Sequence, residues 1–192
     1  MARLAIFIDG AYIDPVARNN FGLQVHFGAF AEEITKIVGA QTPEPVDLLR
    51  TYYYNCPPFQ GNPPTEEDKR RYDGYRRFSE ALKSLPRFQL REGRLAFRGN
   101  DAQGHRIFQQ KRVDLLMGID LALLSGKGRI SHVALVAGDS DFLPAVEAAK
   151  QEGVSAWLIH GPVSTYHRDL WLAADERFEL NTDFMRRCAR NS

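Results

Sequence analysis

Five aspartates stand where chemistry could be done. Asp9 ends the apolar run Leu4-Ala5-Ile6-Phe7-Ile8, Asp139 and Asp141 follow the apolar run 133–137, and Asp114 and Asp120 interrupt the apolar stretch 113–124. Carboxylates gathered at one point repel one another unless a cation sits among them. Their hard oxygens suit Mg²⁺ or Mn²⁺, with water completing the coordination. An ion held in this way activates water and stabilises the charge that builds on a phosphate during displacement. No Gly-rich phosphate loop competes with this reading. Cys56 and Cys188 are far apart, and the five histidines (26, 105, 132, 160 and 167) form no ligand pattern.

The elements that position these acids follow from hydrophobic patterning. Residues 4–8 and 133–137 are continuous apolar runs, as expected of parallel strands covered on both faces. Further strands are expected at 46–54 and 154–159, and helices at 26–38, 142–152 and 166–174. A helix starts after Thr65, with Glu66, Glu67 and Asp68 at its positive end. A hairpin is expected over 88–97, turning at Glu92-Gly93. The segment 111–124 reads as a helix apolar almost all round, hence buried. Strands alternating with helices give an α/β fold with a mostly parallel central sheet and helices on both faces. No linker interrupts residues 1–192, so one domain is expected.

Ligands in such a sheet bind beyond the carboxyl ends of the strands. Asp9, Asp139 and Asp141 all belong to that edge. The competing reading is that Asp139 or Asp141 only caps the following helix, which accounts for one residue better than for the set. Asp114, near the start of its helix, joins the site. Asp120 lies six residues on, about 9 Å along the axis and rotated by about 120°. It is read first as a buried structural acceptor and second as a further ligand.

Three blocks carry a resemblance: Ile6-Phe7-Ile8-Asp9-Gly10-Ala11-Tyr12, Gln110-Lys111-Arg112-Val113-Asp114 through Asp120, and Val136-Ala137-Gly138-Asp139-Ser140-Asp141-Phe142. With Leu172-Ala173-Ala174-Asp175 before Phe178, the chain resembles the NYN domain of the PIN-like nuclease superfamily, LabA-like branch. The resemblance implies a Mg²⁺- or Mn²⁺-dependent ribonuclease whose acidic cluster is Asp9, Asp114, Asp139 and Asp141. Relatives often carry Asn soon after the first Asp-Gly, where this chain has Ala11-Tyr12, and Gly where it has Arg112. A non-catalytic RNA- or partner-binding module on the same fold is the alternative. At Asp9, haloacid-dehalogenase and integrin-like metal sites fail on Ala11, and the second also on Ile13; Asp139 and Asp141 have the dehalogenase spacing, but too little chain follows them for the rest of that fold.

Formal net charge is +1, but residues 69–98 hold ten Lys/Arg against Asp73, Glu80 and Glu92. That segment is therefore +7 on a remainder of −6, an asymmetry suited to RNA, single-stranded or structured. Arg70, Arg76 and Arg77 are its candidate phosphate contacts. Lys111 and Ser140 are candidates beside the acids, and Tyr12 is a candidate base-stacking ring. The short apolar run before Asp9 is too short for a signal-peptide core, and no stretch approaches membrane-spanning length. A cytoplasmic protein is expected, and a homo-oligomer is compatible with the sequence.

Overall fold

The computed structural model describes residues 1–104 and 106–190, without the side chains of Gln110 and Lys111. His105 therefore lies outside the described residues. In chain order the elements begin β1 (Ala2–Asp9), α1 (Gly10–Phe21), α2 (Phe27–Gln41), β2 (Val46–Asn55), α3 (Glu66–Ser84) and β3 (Phe88–Glu92). Next come β4 (Arg94–Asn100), β5 (Arg106–Lys111), α4 (Val113–Gly126), β6 (His132–Val136), α5 (Leu143–Gln151) and β7 (Ser155–His160). The chain closes with α6 (Arg168–Ala173), β8 (Glu176–Glu179) and α7 (Thr182–Arg187).

Six strands form one sheet in the order β3-β2-β1-β6-β7-β8, and all five pairings are parallel. The central strands are apolar on both faces because both faces are covered. Leu4, Ile6 and Ile8 pack with α1, α2 and α7, while Ala5, Phe7 and Leu135 pack with α4, α5 and α6. From β1 the chain builds outward through β2 to β3, then returns through α4 to place β6 on β1's other side. The β1/β6 boundary is thus the topological switch point, where a crevice opens beyond the carboxyl ends.

The structure departs from expectation in three places that matter for the site. The hairpin expected over 88–97 does not form. Phe88–Glu92 instead extends the main sheet parallel to β2, and Gly93 N–H donates to the Asn55 carbonyl at 2.9 Å. β4 pairs antiparallel with β5 as a separate two-stranded arm. Second, the helix expected from 111 begins at Val113, and Lys111 ends a strand. Third, α4 is buried on one side only, by Val113, Met117 and Leu121. Leu115, Ile119 and Leu123 face outward, with Leu115 64% exposed. The apolar composition of α4 therefore does not mean burial all round.

Arg112 joins the arm to α4 with φ 75°. That left-handed conformation is costly for a side chain and free for glycine, which accounts for the glycine expected there in relatives. Arg112→Gly is expected to raise stability by up to about 1 kcal/mol, read as a higher urea midpoint at unchanged m-value.

Candidate active site

β1 ends on Asp9, which also caps α1: its side chain accepts from Ala11 N–H at 2.9 Å. The hydrophobic pattern marks no element over residues 10–21. Pro15 lies within α1, and Gly10 opens it. Gly10 must be glycine for a steric reason, since a Cβ would stand 2.5 Å from the Tyr53 hydroxyl. That hydroxyl donates to Asp14 at 3.0 Å.

Beyond β6 the chain turns through a 3-10 segment, Ser140–Phe142, before α5. Asp139 caps this turn, accepting from Asp141 N–H at 3.0 Å. The capping role weighed against the catalytic one is thus present, and it belongs to Asp139 rather than Asp141. Gly138 lets the turn sit against its neighbours, since a Cβ would meet the Thr165 carbonyl at 2.4 Å and the Tyr12 ring at 2.5 Å. Asp114 stands in the first turn of α4 and is exposed.

The four acids sense one another. Burial pushes Asp9 up to about 6, opposed by its bond from Ala11 and reinforced by the charges of Asp114 and Asp139. Asp114 is also raised, first by desolvation and then by Asp139 and Asp141. Asp9, Asp114, Asp139 and Asp141 thus share one electrostatic neighbourhood. Among the described residues, however, no three His, Cys, Asp or Glu side chains stand as a complete metal-binding group. The capping bonds give a reason: Asp9 and Asp139 are both turned back onto backbone N–H groups. Donor type and mutual repulsion fit a hard divalent cation, and each cap engages only the Oδ1 oxygen of its carboxylate.

Asp120 lies outside this neighbourhood. It accepts from the Tyr54 hydroxyl at 2.9 Å and from Arg91 Nη2 at 3.0 Å, while Arg91 Nε stands 2.9 Å from its other oxygen. These are the bonds of a structural acceptor. Sequence patterning could not have found its partners, which come from β2 and β3.

A recess of about 470 Å³ lies beside the acids, lined by Asp9, Tyr12, Gly138, Asp139, Thr165, Tyr166 and His167. The Tyr12 hydroxyl accepts from Gly161 N–H at 2.9 Å and shares a bond with Thr165 Oγ1 at 3.1 Å. Tyr12 therefore fastens the loop after β7 to the start of α1 beside Asp9, with its ring close against Gly138. The segment 164–167 was not singled out from sequence, and its position past a strand's carboxyl end is the signal that would have found it. His160 is buried against Tyr166 and bonds the Gly161 carbonyl. Ser140 lines a second groove, of about 900 Å³, with Asp114, Asp141, Leu115 and Ile119. The Lys111 side chain lies outside the described residues, so only its backbone, paired with Arg94, is placed.

Residues 3–180 match the family model of the NYN domain. The chain belongs to the NYN family. Its mixed α/β sheet is the PIN-like fold of that family, which is generally one of nucleases. No curated protein matches the chain. Among solved structures, a protein of unknown function from Vibrio parahaemolyticus superposes with TM-score 0.65 at 17% identity, covering 95% of each chain. That likeness is one of fold. MurG of Acinetobacter baumannii gives TM-score 0.41 at 11% identity, over 95% of this chain and 43% of that one. Among the described residues of this NYN chain no helix is long and apolar enough to cross a membrane.

The raised Asp9 has a measurable consequence in metal-free protein. Its pKa is higher folded (about 6) than the 3.8 of an exposed aspartate, so folding favours its protonated form. The stabilisation from Asp9 is complete below about pH 4 and is lost as pH rises through about 6, a change on the order of 2–3 kcal/mol. Asn keeps the cap and carries no charge. Asp9→Asn is therefore expected to gain stability over the parent between pH 4 and 7, in urea melts with chelator present. A difference between the two proteins that does not vary with pH would mean that Asp9 does not titrate as its surroundings dictate.

Proposed function

We propose that this NYN chain is a ribonuclease that hydrolyses RNA phosphodiester bonds with a Mg²⁺ or Mn²⁺ ion held by Asp9, Asp114, Asp139 and Asp141. The observation that supports it most is the delivery of these acids by two strand ends and one helix start to the β1/β6 switch point, where Asp9 is raised by burial first and then by the charges of Asp114 and Asp139. When bound, the ion would supply an activated water and charge neutralisation at the phosphate. The chain's own residues do the positioning. Tyr12 and Gly138 fix the turn carrying Asp139 and Asp141, and Tyr12, Tyr166 and His167 wall the recess beside them. Arg70 and Arg77 on α3 are exposed and can attract the RNA, with Arg76 near Asp73 at 3.9 Å. The LabA-like branch and a cytoplasmic location accompany this reading.

The non-catalytic alternative draws on Ala11-Tyr12, which replaces the Asn expected in relatives with a ring committed to holding the Gly161–Thr165 loop. Purified protein incubated with an end-labelled, unstructured RNA in Mg²⁺ or Mn²⁺, with a chelator control, separates the two. Cleavage that requires the ion is the expected result. RNA that binds but stays intact in both metals returns the chain to the alternative.

A further inference from the structure

The arm β4–β5 was not anticipated from sequence, and its two faces differ. Register places Leu95, Phe97 with Phe108, and Asn100 with Arg106 on one side. That side is anchored. Phe59, in the loop between β2 and α3, stands 5.7 Å from Phe97 and 5.3 Å from Phe108 between centroids, and Arg106 bonds Asp68 at 2.8 Å. The other side carries Arg94, Ala96, Gln109 and Ile107, and adds Arg98 at the bulge between Phe97 and Gly99. Arg94, Arg98, Gln109 and Ile107 are exposed. Both guanidinium contacts of Arg98 go to Gln109 Oε1, at 2.9 and 2.6 Å, which holds this cation over the open face without neutralising it.

Charge distinguishes the arm from α3. α3 carries six cations against five acids, and Lys69, Arg71 and Arg76 are ion-paired within it, whereas Arg70, Arg77 and Lys83 make no ion pair among the described residues. Arg94 and Arg98 make no ion pair among the described residues. Residues 93–112 hold Arg94, Arg98, Arg106, Lys111 and Arg112 against Asp101 alone. Both roots of the arm lie at the sheet's carboxyl edge: β4 leaves from the end of β3, and β5 ends three residues before Asp114. The arm is therefore rooted at the same sheet edge as the acids.

We propose that the open face of β4–β5, through Arg94 and Arg98, binds the phosphate backbone of an RNA strand and leads it to the acidic cluster. This inference rests on the ribonuclease reading for its choice of ligand. Contacts to phosphates carry no base information, so binding is independent of sequence and weakens with salt. The acids repel phosphates at the point of reaction, and a fixed cationic face beside them offsets that repulsion before the strand arrives.

The test is fluorescence anisotropy with a labelled 20-nucleotide oligouridine in excess chelator, so that no cleavage interferes. Arg94→Glu/Arg98→Glu is expected to weaken binding at least tenfold and to flatten the salt dependence by one to two phosphates' worth of counterions, about 0.7 each in log–log slope for single strands. Arg94→Lys/Arg98→Lys keeps the charge and is expected to restore most of the affinity, which a merely misfolded arm would not do. Equal affinity and slope in parent and Glu variant overturn the proposal, as does a parent that binds no oligouridine. Cleavage by the parent is scored separately. A parent that cuts RNA while its Glu variant binds normally leaves the nuclease reading standing and the arm assignment refuted. A parent that binds through the arm yet never cuts gives the reverse.

Discussion

Asp139→Asn is expected to abolish metal-dependent RNA cleavage, by at least roughly 100-fold, while the protein melts at or above the parent's temperature without metal. Loss of a supporting group around a bound ion already costs 10–100-fold in affinity or activity, and Asp139 is proposed as a direct ligand. The substitution conserves volume, and Asn can still accept the Asp141 N–H that fixes the turn. Asp139 raises both Asp9 and Asp114 by its charge, so neutralising it relieves repulsion among the acids. Cleavage and melting should therefore move independently. Unchanged single-turnover cleavage by purified Asp139→Asn, with the parent active, would remove this residue from the proposed metal set and weaken the whole assignment.

The acids were legible in the sequence because each breaks a strong local pattern. Asp9 ends a run buried on both faces, and Asp139 and Asp141 follow another, so strand ends could be counted to one edge. The parallel sheet followed from the same runs. Less visible were the elements whose identity depends on distant partners. β3 looks like half of a hairpin because Glu92-Gly93 is turn chemistry, yet the pairing is decided by β2, which offers an unpaired edge to Phe88–Glu92. α1 contains a proline and opens on a glycine, and it forms because Ile13, Val16 and Ala17 bury against the sheet. Tertiary packing overrides local propensity in both cases. α4 shows the converse limit. Composition gave it no polar face, yet geometry gives it a buried side and an exposed one.

Asp114 and Asp120 share one helix and should separate by mutation. Asp114 stands exposed at the start of α4 within the field of Asp139 and Asp141. Asp114→Asn is expected to reduce cleavage and metal affinity steeply with little change in melting. Asp120 faces β2 and β3, its carboxylate filled by the Tyr54 hydroxyl and Arg91. Its side chain is 14% exposed and that of Arg91 34%. Asp120→Ala would strand a buried hydroxyl and leave a half-buried guanidinium without its counter-charge. Breaking a fully buried pair costs about 3–5 kcal/mol; the partial exposure of Arg91 lowers this to an order of 2–4 kcal/mol. For a chain of this length that corresponds to roughly 5–12 °C in melting temperature. Cleavage by folded Asp120→Ala should persist when measured well below its transition. Thermal melts and metal titrations of the two variants side by side distinguish the roles. Loss of cleavage in Asp120→Asn at unchanged stability, with Asp114→Asn still active, would place the ion on the β3 side of α4 and move the proposed site away from the β1/β6 switch point.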